Sequence, residues 1–242
     1  MKNFERAAVL SEALPHMISF GKKTVIVKYD DDVMQTDTLK RAAISDIVLL
    51  SLVGVRVVVV HGGSSNMDCV GKNIVSLINC EGGKAVSLSG IDGSIIKADK
   101  SGIKSISNEL INSMLDNGYI PVISAIAEGI DSVSYHLNAD TATAELSVSL
   151  KAEKLILLTD KCGICEEADD ESTLISELRL SMVRPLIKKG AVSEDMIHKM
   201  NCCVNAVRRG VSRAHVLDGR VPHSILVEML TDSGIGTMIL AD

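Results

Sequence analysis

Aromatic side chains are nearly absent from these 242 residues: two Phe, three Tyr and no Trp. The core must therefore be aliphatic, and the stacking platforms that single-stranded nucleic-acid binders use are missing. Basic excess is lacking too. The 25 Lys and Arg face 31 Asp and Glu, a formal net charge of −6, which argues against a nucleic-acid surface with its basic footprint. No apolar run approaches the ~18 residues of a spanning helix, so no membrane partner is expected. The first twenty residues do not resemble a secretory signal, because Glu5, Arg6, Glu12, Pro15 and His16 interrupt their apolar residues. The expectation is a cytoplasmic protein with its six cysteines reduced.

Cysteine is present in one suggestive pattern. Cys162-Gly-Ile-Cys165 has the spacing of a redox pair or half a zinc site, and Cys202-Cys203 could add thiols. No second C-x-x-C follows. The plainer expectation is small, buried, unreactive side chains, and no metal site is predicted.

Hydrophobic patterning alternates between two periods. Residues 7–20 read as an amphipathic helix that Pro15 kinks or ends. Strands are expected at 24–29, 55–60, 85–88, 94–98, 120–124, 154–158, 213–217 and 237–240. Helices are expected at 37–53, 73–80, 108–117, 139–150, 178–188, 194–208 and 222–230. The run Val57–Val60 is too uniformly β-branched to be half exposed, which suits a central parallel strand. Such alternation implies an α/β three-layer sandwich around a central, mainly parallel sheet. Ligands in such folds sit at the carboxyl ends of strands.

The loops at those ends carry polar residues of one kind of chemistry. Lys28 closes the first strand. His61-Gly62-Gly63-Ser64 follows the second, and its amides could cradle a phosphate. Asn138-Ala139-Asp140 opens a helix, Thr159-Asp160 with Gly163 follows a strand, and Lys199 lies on a late helix. Two cations, a glycine loop and an acid between the cations suit phosphoryl transfer.

The chain resembles the acetylglutamate kinases of the amino-acid kinase superfamily. The resemblance is collinear over nearly the whole sequence. It runs through Leu10-Ser11-Glu12-Ala13-Leu14-Pro15, Val27-Lys28-Tyr29, Asp46-Ile47-Val48, Val59-Val60-His61-Gly62-Gly63, Asn138-Ala139-Asp140-Thr141-Ala142, Leu157-Leu158-Thr159-Asp160, Asp218-Gly219-Arg220 and Gly236-Thr237-Met238-Ile239. It implies a carbamate-kinase-like fold and transfer of the γ-phosphoryl group of Mg-ATP to the side-chain carboxylate of N-acetyl-L-glutamate, in arginine biosynthesis. Lys28 and Lys199 match the catalytic lysines, and Asp140 the carboxylate that holds both. Gly62 and Gly63 match the phosphate loop. Thr159, Asp160 and Gly163 match the nucleotide side, and Asn138 and His136 the acyl-substrate site. The opening helix and closing segment are most similar to the hexameric, arginine-inhibited plant and cyanobacterial branch. There His223, Glu228 and Gly236 fall in the arginine-effector segment, and a PII-type signal protein is a conceivable partner. The implied layout is an oligomerisation helix at 1–20, an acyl-substrate lobe at 21–124 and a nucleotide lobe at 125–242. A photosynthetic eukaryote would place such a protein in the plastid stroma.

The sequence departs from that family at defined points. Acids stand where the family has glycine pairs, at Asp30-Asp31 and at Glu194-Asp195. Glycine permits positive φ and close phosphate approach; aspartate adds charge that repels a polyanion. Asp30–Asp32 reads as a solvated loop rather than a cation site, and Lys28 either as catalytic or as a retained residue paired with Asp140 or Asp30. His136 replaces an asparagine. Between Gly63 and Val70 a helix, a hairpin lid and a substrate-gripping arginine are missing, so the first lobe is shortened. Two functions are therefore carried: a kinase, and a catalytically degenerate homologue serving as a regulatory or structural subunit.

Overall fold

The computed structural model describes residues 3–30, 33–62, 67–129, 133–167, 170–190, 192–231 and 234–242. The first half contains α1 (Asn3–Phe20), β1 (Thr24–Tyr29), α2 (Asp37–Leu52), β2 (Arg56–His61), α3 (Met67–Cys80), β3 (Ala85–Ser89), β4 (Ile96–Asp99), β5 (Gly102–Ile106), α4 (Glu109–Asp116), β6 (Ile120–Ser124), β7 (Ile126–Gly129) and β8 (Ser134–His136). The second contains α5 (Ala139–Ser149), β9 (Lys154–Thr159), β10 (Glu177–Arg179), α6 (Leu180–Lys188), α7 (Glu194–Arg208), β11 (Arg213–Asp218), α8 (Ser224–Leu230) and β12 (Thr237–Leu240).

Eight strands form one sheet in the order β10-β12-β11-β9-β1-β2-β6-β3. Its pairs are parallel except β11 with β12. Strand alternation then decides which side chain meets which layer. Val25, Val27 and Tyr29 of β1 join the core under α2, α3 and α8. Ile26 joins the opposite core with Leu146 of α5 and Ile111 of α4. Lys28 has the parity of Ile26, so it points to the α5 side. A further core packs α6 and α7 on β9, β11 and β12. The expected three-layer α/β sandwich is what these cores describe.

Several expectations are corrected. The helix placed at 73–80 begins at Met67, and the segment 178–188 splits into β10 and α6. β5, β7 and β8 are additional strands; with β4 they make a second, four-stranded sheet in the order β5-β4-β7-β8. The chain therefore stays beside the first half through His136 and rejoins the large sheet only at β9. Pro15 does not end α1, which continues to Phe20. No helix among the described residues is long and apolar enough to cross a membrane.

Candidate active site

The site is built from the carboxyl end of β1, the first turn of α5 and the first two turns of α7. Asn138 caps α5: its Oδ1 accepts the Thr141 amide at 3.0 Å. Asp140 then falls in the first turn, where the helix dipole favours a carboxylate. Ser193 caps α7 in the same way, accepting from the Met196 amide. Lys199 lies further along α7 and reaches back across the gap between the helices.

Asp140 is nearly buried, at 5% exposure, and lies between the two lysines. Lys199 Nζ donates to its Oδ2 at 3.0 Å, and Lys28 Nζ lies 3.5 Å from its Oδ1. Burial raises the Asp140 carboxyl, but the charges of Lys28 and Lys199 outweigh it and hold the group below the usual carboxylate value. Burial likewise lowers Lys199, while Asp140, Asp195 and Asp30 more than offset this and raise it. A buried cation without such partners would be strongly destabilising. Among the described residues Asp140 Oδ1 has no hydrogen-bond partner and meets Lys28 only as an ion pair.

One acid of each pair that stands in place of glycines lies beside one of these lysines. Asp30 Oδ2 accepts from Lys28 Nζ at 2.5 Å, and Asp195 Oδ2 lies 4.0 Å from Lys199 Nζ. The solvated-loop reading of Asp30 is therefore corrected: its side chain is only 26% exposed. Both pairings expected for Lys28 are made. Asp31, Asp32, Gly63 and Ser64 lie outside the described residues.

The other predicted residues divide. Gly62 stands where a Cβ would come within 2.8 Å of the Ala139 Cβ, so the exit of β2 packs directly on the start of α5. Thr159 is buried at the carboxyl end of β9, beside β1, and donates to Asp160 Oδ1 at 3.3 Å. Gly163 has φ of 141°, and a Cβ there would meet Thr237 Oγ1 at 2.8 Å. His136 is exposed on β8, with no described contact to the lysine group. His198 was not anticipated; its Nε2 lies 3.2 Å from Asn138 Oδ1, tying α7 to the cap of α5. Its only sequence signal is its place next to Lys199.

The effector residues also separate. Glu228 and Gly236 line a cavity of about 510 Å³ with His16, Phe20, Lys154 and Arg213. Glu228 Oε1 lies 2.8 Å from His215 Nδ1. His223 is not among the lining residues. Its Nδ1 lies 2.6 Å from Asp46 Oδ1 on α2, while Asp46 Oδ2 accepts from the Leu226 amide in the first turn of α8.

Residues 67–218 match the model of the amino acid kinase family. The acetylglutamate kinase of Clostridium kluyveri is 42% identical over 278 positions, covering 97% of this chain and 98% of its own. That of Thermosynechococcus vestitus is 41% identical over 282 positions, covering 99% and 96%. This chain belongs to the acetylglutamate kinase family. Both alignments are longer than the chain itself, so these family members carry internal residues that it lacks.

Solved structures extend the likeness of fold. The N-acetylglutamate synthase of Neisseria gonorrhoeae superposes with a TM-score of 0.82 in two complexes, at 23% and 22% identity. One complex holds coenzyme A and N-acetyl-glutamate, the other coenzyme A and L-arginine. They cover 98% and 97% of this chain, which spans 63% and 65% of theirs.

Proposed function

We propose that the protein phosphorylates the side-chain carboxylate of N-acetyl-L-glutamate at the expense of Mg-ATP, a step of arginine biosynthesis. The observation that carries this reading is Asp140 held between Lys28 and Lys199 at the carboxyl end of the central sheet. The residues fit a polyphosphate: Lys28 is buried, Lys199 is part-buried, and Asp140 holds both ammonium groups. Lys28 and Lys199 would hold the phosphates, with Thr159 and Asp160 on the nucleotide side. Bound Mg-ATP supplies the phosphoryl group. Lys28 and Lys199 offset the charge that accumulates as that group moves, and Asp140 keeps both ammonium groups in place. No observation favours the degenerate subunit.

The surroundings extend the same reading. Arginine is the effector proposed for the cavity of Glu228 and Gly236, with His223 acting from outside through Asp46 and the first turn of α8. Exposed Leu14 and Ile18 on α1, 53% and 71% accessible, form the apolar face by which subunits would pair into a hexamer. A PII-type protein is the partner we expect of that assembly. The compartment is the cytoplasm, or the plastid stroma in a photosynthetic eukaryote.

Hydroxylamine trapping of the acyl phosphate tests the reaction, with purified protein, Mg-ATP and excess N-acetyl-L-glutamate. Hydroxamate should form, and Lys199→Ala should lower its rate by about 100-fold or more while circular dichroism stays unchanged. Folded wild-type protein that gives no hydroxamate and binds no Mg-ATP would end the kinase reading.

A further inference from the structure

The proposed reaction makes no use of Cys162 and Cys165. Both are partly accessible, whereas Cys202 and Cys203 are buried. Their sulfur atoms are 3.5 Å apart. The backbone around them is fixed on two sides. Cys165 forms an isolated bridge with Leu174, and the Ile164 carbonyl accepts from the Ile175 amide at 2.8 Å. On the other side the Ile164 amide donates to Thr237 Oγ1 at 2.8 Å. Gly163, between the thiols, has φ of 141°, a conformation that glycine adopts without strain. The loop thus turns its two cysteines toward each other rather than into the core.

We propose that Cys162 and Cys165 form a dithiol modification site that exchanges with low-molecular-weight disulfides and closes to an intramolecular disulfide. The Cys162 thiolate attacks one sulfur of the disulfide and releases the first thiolate, leaving a mixed disulfide on Cys162. Cys165 then loses its proton and attacks the Cys162 sulfur, releasing the second. The sum is two protein thiols and one small disulfide giving one protein disulfide and two small thiols. Burial first, and then the hydrogen bond and charge of Cys162, push the Cys165 thiol up to about 11. That argues against Cys165 as the thiol that attacks first. The pair lies just beyond Thr159 and Asp160, but this chemistry stands whether or not the kinase reading does.

The test equilibrates the full, reduced chain in glutathione buffers of rising oxidised fraction, followed by acid quench, alkylation and trypsin. Cleavage after Lys161 and Arg179 isolates a peptide with Cys162 and Cys165 and no other cysteine. The expected result is that this peptide loses two hydrogens while Cys69 and Cys80 yield only alkylated or glutathione-bearing peptides. Cys165→Ser should instead retain glutathione on Cys162. Phenylarsine oxide, which bridges paired thiols, should bind the wild type and lose that binding in Cys162→Ser and in Cys165→Ser. Stable glutathione on both cysteines of the wild type without the internal bond would overturn the proposal. So would arsenical binding unaffected by either substitution.

Discussion

Asp30 and Asp195 are the same residue type, each standing where the family resemblance has glycine and each beside one of the two lysines. Their surroundings make them different. Asp30 is 26% exposed and sits against Lys28, whose side chain is 7% exposed. Asp195 is 75% exposed, 4.0 Å from Lys199. Water screens the second pair, and exposed pairs contribute only about 0.2–1 kcal/mol. Water reaches the first pair less, so the Asp30 carboxylate is less screened from an anion that approaches Lys28. Asp195 also has a local reason to be acidic, since it lies in the first turn of α7. One kind of substitution thus produces a strong electrostatic element in one place and a helix-capping preference in the other.

The comparison can be broken most severely at its centre. Asp140→Ala leaves the buried Lys28 and the part-buried Lys199 without their shared partner and should cost about 3–5 kcal/mol of stability, read by chemical denaturation. The same carboxyl sets an acid limit. Its folded value lies below the ordinary 3.8. Its stabilising contribution is therefore present above that value and lost as pH falls through the lower folded one. Asp140→Asn should flatten that limb of a stability-against-pH curve.

Asp30→Asn should have the next largest effect, tightening Mg-ATP binding by about tenfold, since a charge ~4 Å away at an effective dielectric of 20 is worth at most about 4 kcal/mol before screening. Calorimetry reads it directly; an unchanged affinity would mean that the phosphates do not meet Lys28. Asp195→Asn sharpens the contrast from the other side, with affinity staying within about twofold. Equal responses from the two variants would show that burial is not what separates these acids.

The central strands were legible because strands buried on both faces read as continuous runs, as Val57–Val60 and Leu155–Leu158 do. The second sheet was not. β8 spans only Ser134–His136, with two exposed residues, and β5 is part-buried or exposed throughout. α3 begins before Gly71, a residue that weakens a helical pattern. It is a point of close approach, where a Cβ would come within 2.7 Å of Ser87 Oγ and 2.9 Å of His61 Nε2. Lys28, Asp140 and Lys199 were legible through family motifs, and Asp30 and Asp195 through their departure from them. Asp46 as a cap for α8 was not, because no local pattern announces a bond to a helix about 180 positions away.

The place of β12 bears on how the molecule is made. This strand is the last in chain order, yet it lies between β10 and β11 rather than at a margin of the sheet. Among the described residues β10 has no other strand neighbour. During synthesis, at roughly 5–20 residues per second, β10 and one side of β11 must wait with open edges until residues 237–240 leave the ribosome. A nascent chain halted just before them would expose a template for pairing with other chains. Such a chain should depend on chaperones far more than the finished protein does.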